Sequence, residues 1–166
     1  MKRTFQKIAC VALACVALML ASCNEAAYVQ DVNTLKLAAQ LMQKTPTARK
    51  WVNEDQAFIK EYVNLENVKE SQIFYAQNTN DLDEFGVFEA EDGKAKEVRN
   101  QLLQGYLQKR YTENREWYDS YMPTETPKLR DAEVRIYGNC VVYAILSPER
   151  RTTFFSECEK LLKEQK

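Results

Sequence analysis

The stretch "AEVRIYGNCVVYAILSPE", residues 132–149, constrains the fold of this chain more than any other. Gly138-Asn139 between two β-branched and aromatic runs is the signature of a two-residue hairpin turn of the primed type. In the first run Val134 and Ile136 alternate with Glu133 and Arg135, the pattern of a strand with one solvated face. The returning run is apolar on both sides, with Val142, Ala144 and Leu146 on one and Val141, Tyr143 and Ile145 on the other. Such a strand lies centrally or is covered on both faces. "SPERRTTFFSECEKLLKE" then opens a helix, with Ser147 as cap, Pro148 in the first turn and Glu149 at the dipole's positive end. Phe154, Phe155, Cys158, Leu161 and Leu162 form one apolar face for the sheet.

Upstream, "DVNTLKLAAQLMQK" places Leu35, Ala38, Ala39, Leu41 and Met42 near a helical stripe that "TPT" ends. "NEDQAFIKEYV" repeats the helical pattern. "SQIFYAQ" and "EFGVFEA" read as strands, with Gly86 marking a bulge or a close backbone approach. A long helix is expected from about Ala95 to Tyr121, with Val98, Leu102, Tyr106, Trp117 and Tyr121 near one face. Gly105 weakens its middle by about 1 kcal/mol against alanine. The fold class is α+β: a small antiparallel or mixed β-sheet of about four strands packed against helices largely on one face. The order is helices, strand, strand, long helix, hairpin, helix.

The opening "MKRTFQK" carries Lys2, Arg3 and Lys7 and no acid, and "IACVALACVALMLAS" then runs from Ile8 to Ser22 without a charge. A positive start, an apolar run and small residues at its end make a secretory signal. A spanning helix needs about 20 apolar residues, and this run has about 15. Its end, "LASC", resembles the lipobox of bacterial lipoproteins: Leu20, small Ala21 and Ser22, then Cys23. The resemblance implies a diacylglyceryl group on the Cys23 thiol and cleavage just before it. Residues 1–22 are then a signal peptide, 23–30 the lipidated cysteine and a short tether, and 31–166 a single α+β domain. One acyl chain holds only marginally, at about 0.8 kcal/mol per methylene, whereas two or three on one cysteine anchor stably. The expected location is the cell membrane or outer membrane, facing outside the cytoplasm, with the lipid bilayer as a partner through Cys23. Asn24 is not the aspartate that commonly signals inner-membrane retention.

No histidine occurs anywhere in the chain. This excludes histidine general bases, Ser–His and Cys–His pairs and histidine zinc motifs. A serine nucleophile would need another base, and no Ser-x-x-Lys follows Cys23. The formal net charge is −1, from 23 Lys and Arg against 24 Asp and Glu. Loss of the signal removes basic residues only, so no basic footprint for nucleic acid remains. "NTNDLDEFG" places Asp81, Asp83 and Gly86 as an EF-hand loop would, but position five is Phe85 and position twelve Asp92. A loop between strands is the simpler reading, and neither metal nor cofactor is expected. Glu89, Glu91, Asp92 and Glu97 are available for two-carboxylate chemistry, although alternation and helix spacing already place them on the surface.

Cys10 and Cys15 fall in the signal. Export permits a disulfide between Cys140 and Cys158. Cys140 lies about 23 Å up its strand from the reversal at Ser147 and Pro148, and Cys158 about 15 Å along the helix. A bond needs Cα atoms within about 7 Å, so the helix must tilt to close it; two buried thiols are the other outcome. The aromatics of the long helix, Tyr106, Tyr111, Trp117, Tyr118 and Tyr121, spread over more than one face. Tyr111, Trp117 and Tyr118 are candidates for binding an envelope protein partner, because exposed Trp and Tyr present large area at low entropy cost. Covering the sheet is their competing role.

"FGVFEAEDGKAKEVRNQLLQGYLQKR", followed by "YMP" and "GNCVVYAILSPE", resembles the bacterial lipoproteins of domain of unknown function family 4358, over roughly Phe58 to Leu162. The resemblance implies a lipid anchor, a short tether and a strand, long helix, hairpin and helix. It carries over no activity and no catalytic residue. Members usually have an aromatic or aliphatic residue at the position of Cys140, so it implies no family-wide disulfide. The functional expectation is a membrane-anchored, non-enzymatic binding or interaction module. The alternative is a small envelope enzyme, or a ligand- or cation-binding protein, that uses carboxylates.

Overall fold

The expected hairpin forms. In the computed structural model, which describes residues 28–47, 50–78 and 80–164, β4 (Glu133–Tyr137) and β5 (Cys140–Ile145) are joined by Gly138 and Asn139. Gly138 has φ 61°, the left-handed conformation such a turn needs. β3 (Glu84–Ala90) pairs with the other edge of β5, β2 (Val68–Ala76) with β3, and β1 (Trp51–Asn53) with β2. All pairings are antiparallel, in the order β1-β2-β3-β5-β4. The sheet thus has five strands rather than about four. β1, at three residues, is too short for period-2 alternation to show.

Central placement explains the two-sided strand. Every residue of β3 and β5 is buried. Val141, Tyr143 and Ile145 join Ile73 and Phe88 in one apolar cluster, and Cys140, Val142 and Ala144 join Phe74, Phe85 and Val87 in the other. The second face is covered by α1 (Thr34–Lys44) and α7 (Pro148–Glu164) through Leu37, Ala38, Leu41, Phe154, Phe155 and Leu162. The first face is covered by Val98, Leu102, Tyr106 and Leu107 of the long helical segment. Helices therefore lie on both faces, not largely on one. Two apolar faces on β5 demand this, since a fully buried large apolar side chain contributes about 1.5–3 kcal/mol only if something covers it. α1 starts at Asn33, whose side chain accepts from the Lys36 amide at 2.7 Å, and stops one residue before Thr45 and Pro46.

The expected helix from 95 to 121 is not continuous. α3 (Ala95–Asn100) passes into a π-helical segment, Gln101–Gln108, then α4 (Lys109–Glu113). The Asn114 side chain donates to the Arg110 carbonyl at 3.1 Å and ends the run, offering the backbone a local alternative to another turn. α5 (Arg115–Tyr121) and α6 (Thr126–Arg130) follow. Val98, Leu102 and Tyr106 remain buried, but past the break Trp117 and Tyr121 are 51% and 74% exposed. The expected helix around "NEDQAFIKEYV" shrinks to α2 (Gln56–Ile59), with Phe58 and Tyr62 still packed on the Tyr106 ring.

The expected signal peptide and Cys23 lie outside the described residues, as does most of the expected tether. Its last part is docked: Tyr28 packs edge-on against Tyr137 and the Val29 amide donates to the Leu162 carbonyl. The possible Cys140–Cys158 disulfide is not formed; both are free, buried thiols in the cluster under α7. Burial first, then Glu89, pushes the Cys140 thiol up to about 12. Burial and the neighbouring Cys140 raise Cys158 well above its ordinary value. Alkylation at pH 8 should leave both thiols unmodified in the native chain and modify both in urea; a mass two protons lower, without reaction after unfolding, would reveal a bond instead.

Gly86 marks a close approach rather than a bulge. A Cβ there would come 2.3 Å from Cε1 of the Tyr143 ring, the cross-strand neighbour. Gly86→Ala should therefore destabilise by about 1–3 kcal/mol in urea denaturation. Gly93→Asn, at φ 75° with nothing within 4 Å, should cost well under about 1 kcal/mol, because asparagine tolerates that conformation.

Candidate functional site

The missing side chain at Gly86 lets the Tyr143 ring lie across the β3 backbone. Its hydroxyl then donates to Glu84 Oε1 at 2.6 Å. Tyr106 donates to the same oxygen at 2.6 Å, and Arg110 Nη1 donates to Glu84 Oε2 at 2.8 Å. Arg110 Nη1 also donates to the Tyr106 hydroxyl at 2.7 Å, and Nε to the Tyr118 hydroxyl at 3.2 Å. Glu84 is 6% exposed and Tyr143 fully buried. Tyr106 and Arg110 stand four residues apart where the π segment passes into α4, so one side of the helix presents both. Such π windings recur at functional sites.

These groups hold one another's protonation states. Burial, then the Glu84 charge, raises both Tyr106 and Tyr143 well above the ordinary tyrosine value. Burial works against the Arg110 charge, but Glu84 and the Tyr106 and Tyr118 hydroxyls outweigh it and hold Arg110 well above its usual range. Both Glu84 oxygens are thus engaged by donors, two hydroxyls on Oε1 and one guanidinium N–H on Oε2.

A second polar cluster stands beside the first. Asp81, Asp83 and Glu125 bring carboxylate oxygens within 4.8 Å of one another, the spacing of a metal site. Lys128 Nζ stands among them, 2.8 Å from Asp83 Oδ1, 2.7 Å from Glu125 Oε2 and 3.3 Å from Asp81 Oδ1. Arg150 pairs with Asp83 Oδ2 and donates to the Pro46 carbonyl at 3.0 Å. The ammonium is the cluster's own cation. Burial opposes its charge, but hydrogen bonds to Asp83 and Glu125 prevail and raise Lys128 above its ordinary value. The loop read as an imperfect calcium site is thus a lysine-centred connection between β2 and β3, closed by the Asp83 amide donating to Asp81 Oδ1 at 2.9 Å.

Between the two clusters opens a cleft of about 690 Å³. Tyr106, Arg110 and Glu84 form its floor, Phe58, Tyr62 and Tyr75 its aromatic wall, and Glu54 and Asp81 its polar edge. The volume falls in the range of small-molecule sites, roughly 300–1,000 Å³. Of the sequence-derived aromatics, Tyr118 is buried and serves the network through Arg110. Tyr111 is half-buried along a separate groove of about 320 Å³ with Leu103, Leu107 and Leu129. Trp117 is exposed against Tyr121, ring centroids 5.6 Å apart, and does not reach the cleft. Cys140 and Cys158 lie in the cluster on the opposite face. Arg110, Tyr143 and Lys128 were not read as a site from sequence, and Glu84 entered only as part of the "NTNDLDEFG" loop. The available signal was "EFGVFEA", an acid two residues before a glycine in a strand, together with a tyrosine in a strand buried on both faces, whose hydroxyl needs a partner.

The family model described as Domain of unknown function (DUF4358) matches residues 50–146. The chain belongs to this family. Comparison with curated proteins and with solved structures returned no match. The DUF4358 span contains all five strands and every residue lining the cleft, while α1 and α7 lie outside it. The sheet face that builds the cleft is therefore the part this chain shares with the DUF4358 family model, and the opposite face is completed from outside the match. Among the described residues, no helix is long and apolar enough to cross a membrane.

Breaking the buried ion pair by Arg110→Ala leaves Glu84 uncompensated and should cost about 3–5 kcal/mol in urea denaturation. Tyr143→Phe removes one donor and should cost about 1–3 kcal/mol. Because Tyr106 and Tyr143 are raised above 10.0 in the folded state, the unfolded chain loses these protons first. Their contribution is fully present below pH 10 and is lost as pH rises beyond it. Thermal melts from pH 8 to 11 should show that decline, with a shallower slope for Tyr143→Phe.

Proposed function

We propose that this chain is a bacterial lipoprotein, anchored through acylated Cys23 outside the cytoplasm, that binds a small ligand in the cleft without chemical turnover. The observation that carries the reading is the cleft itself: an aromatic wall over a floor whose carboxylate is hydrogen-bonded through both oxygens. A floor locked by such bonds is pre-organised, which supports binding. The signal ending in "LASC" supports the anchor.

The register supports an orientation. Tyr28, five residues from Cys23, sits at the Gly138 turn, where an added Cβ would meet its Cβ at 3.4 Å. Glu84 lies at the other end of β3, opposite Ile145, while Glu89 lies opposite Cys140 beside the turn. A strand of this length spans about 20 Å. On this reading the hairpin end faces the leaflet and the cleft opens away from it, toward soluble ligands.

Metabolic labelling with an alkyne fatty acid should mark the wild type and not Cys23→Ala, which should also leave the membrane fraction. In liposomes containing brominated lipid, a fluorophore on Asn139→Cys should be quenched more than one on Asn78→Cys. A protein-observed NMR screen with a mixed fragment library should move signals of Glu54, Tyr75 and Tyr106; fragments that bind only elsewhere would remove the cleft from the proposal.

A further inference from the structure

We infer that the cleft takes a small cationic amine, with its ammonium head between the aromatic wall and Glu54; this rests on the cleft being the binding site. The charge balance points there first. Four carboxylates line the cleft, those of Glu54, Asp81, Asp83 and Glu84, against one guanidinium, that of Arg110. Arg110 is engaged by Glu84. Asp81 and Asp83 are held from behind by Lys128, and Asp83 also by Arg150. Glu54 has no cation against it in the ion pairs of the described residues; its Oε1 accepts only the amide of Asp55 next to it, at 3.0 Å.

The wall supplies the second, independent argument. Phe58, Tyr62 and Tyr106 pack with ring centroids 5.0–5.7 Å apart, and Tyr75 lies beside Glu84 across the β2–β3 pair. Aromatic faces attract cations within about 6 Å by about 0.5–2 kcal/mol. The floor beneath this wall already holds one such contact, the Arg110 guanidinium 5.7 Å from the Tyr106 centroid. The other ligand classes fit worse. An anion would meet Glu54 and Asp81, and the one cation among the described lining residues, Arg110, is already engaged by Glu84. A neutral apolar ligand would cover the Glu54 carboxylate without pairing it, which is costly. An ammonium head satisfies both the carboxylate and the rings.

The test uses the full lipidated chain in nanodiscs and three probes: choline, its uncharged isostere 3,3-dimethylbutan-1-ol, and propionate. Choline should shift the signals of Glu54, Phe58, Tyr62 and Tyr75, with an affinity about tenfold or more above that of the isostere. Glu54→Gln and Tyr75→Leu should each weaken choline by about fivefold or more while leaving the melting temperature near that of the wild type. Equal or tighter binding of the isostere or of propionate at the same signals would overturn the amine and leave the cleft as a binding site. Choline binding untouched by Glu54→Gln would also overturn it. Failure of all three probes, with a mixed fragment library equally silent at these signals, would overturn the amine and the cleft reading together.

Discussion

Much of this structure follows from the burial of one carboxylate. Glu84 opens a strand in which every residue is buried, and an unpaired charge there would cost several kcal/mol. Three donors meet it, and each places a demand on a different element. Tyr143 reaches it from β5 only because Gly86 has no side chain. Tyr106 and Arg110 reach it from one side of the helical segment, four residues apart. Tyr118, beyond the break at Asn114, closes the network on Arg110. Strand, helix and α5 are thus fixed relative to one another by hydrogen-bond geometry as well as by apolar contact.

The cleft inherits its character from that network. Its floor is polar, with both Glu84 oxygens held by hydrogen bonds. Its wall is aromatic because Phe58 and Tyr62 cover the outer side of Tyr106. Its acidic edge is partly neutralised from behind by Lys128, an internal cation where three convergent carboxylates would otherwise repel. What remains is a negative, ring-lined pocket at the end of the sheet farthest from Tyr28, a placement suited to a soluble ligand if the chain is tied to a leaflet by Cys23.

The opposite face has another task. α1 and α7 bury Phe85, Val87, Val142 and Phe154 there, and Glu89 is buried at the hairpin end opposite Cys140. Cys140 and Cys158 sit in this layer as small apolar groups, their thiols raised by burial. The family match covers the sheet and the cleft but not these two helices, one of which sends Arg150 to Asp83 at the polar cluster.

Local pattern reached far into this fold. The Gly138-Asn139 turn, the two-faced β5, the apolar stripe of α7 and the glycine approach at Gly86 were all legible, because turns and periodicity are properties of neighbouring residues. The "LASC" motif belongs to the same class, a linear signal whose meaning needs no fold. The break at Asn114 leaves no mark on periodicity, and the three-residue β1 is settled by its pairing with β2, distant in the chain. The site was hidden for the same reason. Glu84, Arg110 and Tyr143 are 26 and 59 residues from one another's contacts, and no spacing rule links them. Sequence alone determined which strands and helices this chain could make. Only the tertiary structure decided which carboxylate would be buried, because that depends on donors brought together across the sheet at hydrogen-bond distance.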